Sequence, residues 1–339
     1  MKKELLVILA LFSASVLFAY NEGETRTAKH TVTISGTDAI NILGKHTYME
    51  LETWNKNEVE ITATLTFDGN MNDRVKKFLD EFESKVKNNI TKSGGELTID
   101  TGLEEPNRVQ VGSRNVGLIV GYSDKELRIE YKIKLPGKNA LKVTAAYKDL
   151  LMSGDYSDVN ISQYSADLRA GTFSNAKLYL KYGDTKIQSI ESGYIESYEN
   201  DTDFGTVGYL KANDKYSEYK FNNLEKIDIE GYETDIKANN IGLMKGNLKY
   251  GEMKIGQRLG AGTFTLYEYD ITANEAGIIQ FENTKYGNYE FGRIESAHFE
   301  SSYEDEFQAD FVNSLSTKSK YGDYSIDELG SAFTLMGYE

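Results

Sequence analysis

Two stretches of regular alternation predict β-strands in the first 135 residues. From Glu58 to Phe67 every second residue is apolar, and the residues between are glutamate or threonine. From Leu127 to Leu135 apolar residues again alternate with charged ones. A period of two is typical of a strand with one buried face. Both segments therefore predict half-buried strands.

A different period lies between these strands. Apolar residues recur at i, i+3, i+4, i+7 and i+11, which places them on one face of a helix: Val75, Phe78, Leu79, Phe82 and Val86. Gly94 and Gly95 follow and stop the pattern. We predict a helix at about residues 73–89 that covers a sheet, and we assign residues 20–135 to an N-terminal β-rich unit.

From residue 147 onward the chain repeats. Tyrosines recur at intervals of 16–19 residues: Tyr147, Tyr164, Tyr182, Tyr198, Tyr216, Tyr232, Tyr250, Tyr267, Tyr286, Tyr303, Tyr321 and Tyr338. From Tyr182 onward two forms alternate, a Lys-Tyr-Gly (or Lys-Tyr-Ser) form and a Tyr-Glu form, and like forms recur every 34–36 residues. A fixed internal period of this length indicates a repeat array.

These repeats predict an all-β fold, a parallel β-solenoid (β-helix) over residues 136–339. The units are rich in Gly, Asn, Asp, Thr, Tyr and Ile, and no dozen residues keep a helical stripe, which argues against helical repeats. A β-sandwich built from hairpins remains the main alternative. A single unit buries too few large residues to offset its ordering entropy, so neighbouring units must stabilise one another.

The length of one solenoid turn stays open between about 17 and about 35 residues. A turn of 35 would stack four glutamates into a column of like charges, which is unfavourable: Glu199, Glu233, Glu268 and Glu304. A turn of 17 would instead place Glu199 beside Gly183 and Ser217. The apolar residue lies five places after tyrosine in one form and four in the other, which favours the long turn. We favour the short turn on the charge argument.

Composition removes several classes of function. The chain has no cysteine, so thiolate sites, disulfides and a lipobox are excluded, and its three histidines are far apart in sequence. The net charge of −15 argues against a nucleic-acid partner. Lys2 and Lys3 precede an apolar run from Leu5 to Phe18, which predicts a signal peptide over residues 1–19. A buried strand or an uncleaved anchor is the alternative.

No catalytic, cofactor or metal residue is predicted. Asp201, Asp203 and Gly205, and the cluster Glu304–Glu306, lack the spacing of known calcium loops, and solvated turns explain them better, although calcium binding stays open. Arg169, Arg258 and Arg293 stand in different units, with no carboxylate at a repeated offset. A polysaccharide-acting lyase or hydrolase therefore remains only the alternative to a protein that is not an enzyme.

One set of residues is a candidate ladder, either for binding a partner or for bracing the corners of the turns: Tyr182, Tyr198, Tyr216, Tyr232, Tyr250, Tyr267, Tyr286, Tyr303 and Tyr321. Exposed aromatic rows make good contact surfaces. Bracing is the simpler explanation, and the sequence names no ligand.

The segment Ala140-Leu141-Lys142-Val143, followed by turns such as Tyr182-Gly183-Asp184, resembles the DUF4097 family of adhesin-like β-solenoid proteins of the Bacteroidetes envelope. The resemblance covers nearly the whole mature chain, and it departs at the tyrosines, where relatives often carry Ser-Gly-Asp. It implies a solenoid, an envelope location and no catalytic residues.

Together these observations predict an exported, non-catalytic protein of the periplasm, outer-membrane surface or extracellular space, which acts as an adhesin-like binder or a structural scaffold. A surface polysaccharide or an envelope protein is the expected partner. The array stops within a Tyr-Glu unit at Tyr338-Glu339. An open strand edge there leads us to expect either a fragment of a longer chain or self-association.

Overall fold

The computed structural model describes residues 23–103 and 126–338. The predicted signal peptide and the first proline, Pro106, lie outside these residues. The described elements are β1 (Glu24–Thr33), β2 (Ala39–Lys45), β3 (Tyr48–Trp54), β4 (Glu58–Phe67), α1 (Asp73–Asn88), β5 (Ile90–Ser93), β6 (Glu96–Asp100), β7 (Leu127–Pro136), β8 (Leu141–Ala146), β9 (Leu150–Tyr164), β10 (Leu168–Lys285), β11 (Asn288–Tyr303), β12 (Glu306–Lys320) and β13 (Asp323–Tyr338).

The repeats form a parallel β-solenoid of about 11 turns, which confirms the predicted fold class. β9 pairs with β10, β10 with β11, β11 with β12 and β12 with β13, always in parallel. Hairpins would have given antiparallel neighbours, so the β-sandwich alternative is wrong. Residues in register are 17 or 18 apart, as in Tyr156↔Phe173 and Ile271↔Tyr289, so the short turn is the correct one.

The first turn of the solenoid comes from far upstream. β2 pairs in parallel with β8, and β3 pairs in parallel with β9, so residues 39–54 form a coil that the following coils continue. Before β8 continues the stack, β6 pairs in parallel with the other edge of β2. β4 pairs antiparallel with both β1 and β7, while β7 also pairs in parallel with β3. One sheet therefore joins the N-terminal unit to the solenoid.

The helix α1 covers part of this N-terminal unit. Its five predicted stripe residues are all buried, and its first turn is capped by Asn72, whose side chain accepts from the amides of Arg74 and Val75. Asn89 ends the helix, and Gly94 and Gly95 form the next turn at φ of 59° and 79°. The predicted helix is thus confirmed.

The interior of the coils is mainly apolar, and neighbouring coils complete one another's core. Each coil contributes a few fully buried side chains, such as Ile187, Ile190 and Ile195 in one of them. Because the strand spacing is about 4.8 Å, equivalent residues of successive coils touch and form continuous interior columns.

Candidate functional site: a tyrosine ridge

Eleven tyrosines line one corner of the solenoid in an unbroken row, which we call the tyrosine ridge: Tyr147, Tyr164, Tyr182, Tyr198, Tyr216, Tyr232, Tyr250, Tyr267, Tyr286, Tyr303 and Tyr321. Successive ring centroids are 5.3–5.7 Å apart, and the ring planes meet at 69–87°. All nine tyrosines of the predicted ladder are among them. His46 stacks on Tyr147 and extends the row into the first coil.

The ridge exists because each coil turns this corner through a left-handed residue. Every non-glycine residue with positive φ in residues 23–103 and 126–338 lies here: His46, Tyr147, Ser165, Tyr182, Glu199, Tyr216, Glu233, Tyr250, Glu268, Tyr286, Glu304 and Tyr321. Such a conformation is strained for residues with a β-carbon. We call this residue of each coil the corner residue and count positions from it.

The corner residue explains the uneven tyrosine intervals. In the Lys-Tyr-Gly coils the tyrosine is itself the corner residue, whereas in the Tyr-Glu coils it precedes a corner glutamate. Alternate rings therefore leave the backbone from positions one residue apart, which favours their edge-to-face contact over parallel stacking. Glu199 lies in register with Tyr182 and Tyr216, so the neighbours expected for it, Gly183 and Ser217, were each wrong by one residue.

The ridge combines contact between rings with access to solvent. Exposure of its most accessible rings runs from 36% at Tyr232 and Tyr250 to 55% at Tyr321. A hydrogen bond with the following glutamate raises the pKa of Tyr198 and, in the same way, the pKa of Tyr303. These two phenols therefore stay neutral at neutral pH and can donate or accept hydrogen bonds.

A column of acidic side chains, which the sequence did not reveal, runs beside the ridge. It lies two residues after the corner residue in every coil except the first, where Tyr48 holds this position, and that of Asn288: Asp149, Asp167, Asp184, Asp201, Glu218, Asp235, Glu252, Asp270, Glu306 and Asp323. Counted from tyrosine, the acid is second in one form and third in the other. That shift of one residue hides the column from a search based on tyrosine spacing.

Hydrogen bonds from backbone amides and ion pairs with lysines offset the repulsion between the carboxylates of this column. The Asp167 carboxylate accepts from the amide of Asp184 at 3.0 Å, and Asp235 accepts from the amide of Glu252, also at 3.0 Å. Lys220 and Lys237 both pair with Glu218 and hold the pKa of its carboxyl below its usual value. Like charges on neighbouring strands thus need not exclude a given register, contrary to the charge argument used for the turn length.

Two buried aspartates accept hydrogen bonds on the inner side of the same corner. Asp214 accepts from the hydroxyls of Ser197 and Thr234. Asp305 accepts from the hydroxyls of Thr284 and Ser302, each at 2.6 Å, and from an amide of the chain. Burial raises the pKa of Asp214, although its hydroxyl partners lower it in part. These clusters order the backbone beneath the ridge.

The remaining candidate residues do not assemble into a reactive centre. Asp201 accepts from the amide of Glu218, and Asp203 pairs with Lys186. Asp305 is buried while Glu304 and Glu306 are exposed, so the three carboxylates point apart. Within the described part of the chain, no three histidine or acidic side chains gather closely enough to hold a metal ion.

The three arginines are less isolated than the sequence suggested. Arg258 and Arg293 lie in one shallow depression on either side of Glu275, in register over successive coils. Arg258 pairs with Glu275 at 3.2 Å, and the Arg293 guanidinium lies 3.8 Å from the ring centre of Phe311. Arg169 lies elsewhere, in the first coils. Arg258, through its ion pair, and Arg293, through its contact with the Phe311 ring, thus contribute to packing between coils.

No protein-family model matches the chain, and no curated protein matches it. Two solved structures are similar over most of its length. A protein of Parabacteroides distasonis, provisionally described as lipid-binding, is 12% identical, covers 94% of this chain and 98% of its own, and gives a TM-score of 0.26. A protein of Clostridium sporogenes, provisionally described as a cell-adhesion protein, is 12% identical, covers 90% and 100%, and gives a TM-score of 0.20. No function is transferred from similarities of this size.

Proposed function

We propose that this chain is an exported, non-catalytic binding protein of the cell envelope, which holds an extended partner along the tyrosine ridge in the manner of an adhesin. The observation that carries the proposal is the ridge itself, eleven partly exposed rings in direct contact. At about 4.8 Å per coil, ten steps make a contact line of about 48 Å. A surface this long and narrow fits a linear polymer better than a compact ligand.

The coil-to-coil pairing supports a scaffold role, and two features of the sequence support export to the envelope. Parallel pairing from coil to coil resists bending, so the spacing of the rings is set before a partner arrives and little ordering entropy is lost on binding. The N-terminal apolar run after Lys2 and Lys3 is typical of a signal peptide. Among residues 23–103 and 126–338, no helix has the length and apolar character needed to cross a membrane. The resemblance to DUF4097 also favours an envelope location.

The test is binding of the mature chain to an array of envelope polysaccharides, before and after three ridge substitutions. Tyr182→Asn, Tyr216→Asn and Tyr250→Asn remove central rings but keep a residue that tolerates the left-handed conformation. We expect at least tenfold weaker binding with an unchanged circular dichroism spectrum.

The matched control removes three exposed apolar side chains away from the ridge, with Leu151→Ser, Leu243→Ser and Ile278→Ser. This variant should bind as the wild type does. If the ridge variant retains full affinity, the ridge is not the contact surface. If the wild-type chain binds neither a polysaccharide on the array nor an isolated envelope protein, a purely structural spacer replaces the proposal.

A further inference from the structure

A second concave surface lies on the face of the solenoid just before the ridge. It is a depression of about 680 Å³ over the first coils, from β2 to the start of β10. Two outward columns flank it. The fifth residue before each corner residue gives the first: Asn41, Lys142, Asn160, Lys177, Tyr194 and Lys211. The seventh gives the second: Ala39, Ala140, Asp158, Asn175, Ser192 and Tyr209. We call this surface the lysine groove.

Small side chains make the lysine groove concave. The seventh-residue column carries only short side chains until Tyr209 ends it. The sixth residue before the corner, which lies between the two columns, is also small in two successive coils, as Ala176 and Gly193. A β-carbon at Gly193 would lie 3.1 Å from Ile190 and 3.3 Å from Leu210, so a larger residue there would press on the coil interior. The depression is thus specified by a run of small residues over consecutive coils.

Three lysines in the groove have no ionic partner among the residues that the structure describes. Lys142, Lys177 and Lys211 come from alternate coils, about 9.6 Å apart by strand spacing, and none of them makes an ion pair within the described residues. The lysines four residues after a corner residue, by contrast, all pair with carboxylates: Lys186, Lys220, Lys237 and Lys254. The three ammonium groups therefore give this groove local positive charge in a chain of net charge −15.

The two acidic residues of the groove are already hydrogen-bonded. Asp158 accepts from the Asn175 amide at 3.0 Å. Glu96 accepts from the side chains of Asn41 at 3.4 Å and Thr98 at 3.1 Å. Neither carboxylate makes an ion pair with a lysine of the groove within the described residues, so the lysine ammonium groups can pair with an anion from solution.

Two half-buried tyrosines at one end of the groove are fixed in place. The Tyr209 hydroxyl donates to Asp228 at 3.0 Å, and the Tyr194 hydroxyl accepts from the Asn213 amide at 3.2 Å. Rings held by their hydroxyls offer a rigid apolar surface beside the amides and hydroxyls of the groove. A ligand that matches must carry apolar patches, hydroxyl groups and regularly spaced negative charges.

We propose that the lysine groove binds a short stretch of an acidic polysaccharide, of the uronic acid class. Sugar faces pack on Tyr194 and Tyr209, ring hydroxyls bond to Asn160 and Asn175, and carboxylates pair with the lysines. The site shares no residue with the tyrosine ridge, so the two proposals can be tested separately. Nucleic acid fits less well, because phosphate contacts of this number would have to overcome the repulsion of the whole acidic chain.

The experiment is calorimetric titration of the mature chain with a tetrasaccharide of galacturonic acid, and with a neutral tetrasaccharide of galactose, in low salt. Lys177→Gln with Lys211→Gln removes two charges from the groove. Lys87→Gln with Lys245→Gln removes two exposed lysines elsewhere, and Lys245 belongs to the same column farther along. Tyr209→Ala tests the apolar contact.

We expect the acidic tetrasaccharide to bind at least tenfold more tightly than the neutral one, and more weakly as salt rises. The groove variant and Tyr209→Ala should each weaken it at least tenfold, while the control pair and the ridge variant leave it unchanged. Absence of binding, equal affinity for the neutral sugar, or equal weakening by both lysine pairs would overturn the proposal. Loss in the ridge variant alone would assign the sugar to the ridge.

Discussion

Two aromatic columns run along this solenoid, one inside and one outside, and the same coil spacing produces both. Inside, Phe264, Phe281 and Phe299 occupy one column, with Phe281 and Phe299 stacked at 4.2 Å and 9°. Outside, the ridge tyrosines meet edge to face at 5.3–5.7 Å. The inner rings are fully buried, whereas eight of the eleven ridge tyrosines are 36–55% exposed. The inner column therefore contributes most to stability, and the outer column is free to bind.

The largest loss of stability should come from removing one ring of the inner column. Phe281→Ala removes a ring packed against Phe264, Phe299 and Tyr289. The lost burial and the cavity left behind should lower the free energy of unfolding by about 3–5 kcal/mol, measured by urea denaturation. Phe333→Ala is the control, since that ring is 45% exposed, and it should cost less than about 1 kcal/mol. Equal losses in the two variants would contradict the contrast between buried and exposed rings.

The next effect concerns the polar cluster beneath the ridge. Asp214→Ala leaves the buried hydroxyls of Ser197 and Thr234 without their acceptor, at a cost of about 2–3 kcal/mol by the same measurement. A loss as small as that of a surface substitution would show that water replaces the carboxylate.

The same aspartate gives a pH dependence with a defined sign. Burial raises its pKa above the usual 3.8, so the folded state binds the proton more tightly than the unfolded state. The stability that this group contributes is then present at low pH and lost as pH rises through its folded pKa. We expect the wild type to lose stability relative to Asp214→Asn as pH rises above the usual carboxyl pKa of 3.8. The opposite slope would show that the hydroxyls outweigh burial.

A smaller effect separates ring contact from backbone strain in the outer column. Tyr250→Ala removes two edge-to-face contacts and keeps a left-handed residue, at a cost of about 1–2 kcal/mol. Tyr250→Gly removes the same contacts but relieves the strain, so it should be about 1 kcal/mol more stable than Tyr250→Ala. If alanine proves the better replacement, the left-handed corner is not strained.

The smallest effect is a gain. Glu233 is an exposed corner residue in the left-handed region, at φ 51°. Glu233→Gly should raise the free energy of unfolding by about 1 kcal/mol, read from the urea midpoint. An exposed glutamate elsewhere on the sheet, Glu290, gives the control, since Glu290→Gly should destabilise a strand of ordinary geometry.

The sequence was sufficient to predict the solenoid, because tyrosine spacing and the alternation of two forms are properties of residue type. It did not reveal the corner conformation. Glycine is the residue expected at positive φ, yet tyrosine and glutamate occupy it here, held by the stack rather than by their own preference. Every count made from tyrosine was therefore one residue off in half of the coils. That is why the acidic column was missed and the neighbours of Glu199 were misplaced.

The lysine groove was hidden for a different reason. Asn41 and Lys142 belong to one column, although about a hundred residues separate them, because β2 forms the first coil and the chain then builds the N-terminal unit before returning. No local sequence pattern indicates that Asn41 and Lys142 are neighbours in the fold. The groove also depends on small residues, and only a known coil register shows that Ala176 and Gly193 lie side by side.

The alternation of corner residues has a consequence for how this protein can change in length. Removing a single coil would bring two corners of the same kind together and place adjacent rings on equivalent backbone positions, where edge-to-face contact is lost. Removing or duplicating two coils, 34–36 residues, restores the pattern. The number of coils can therefore change in steps of two without loss of ring contact. We expect natural length variants to differ by pairs of coils.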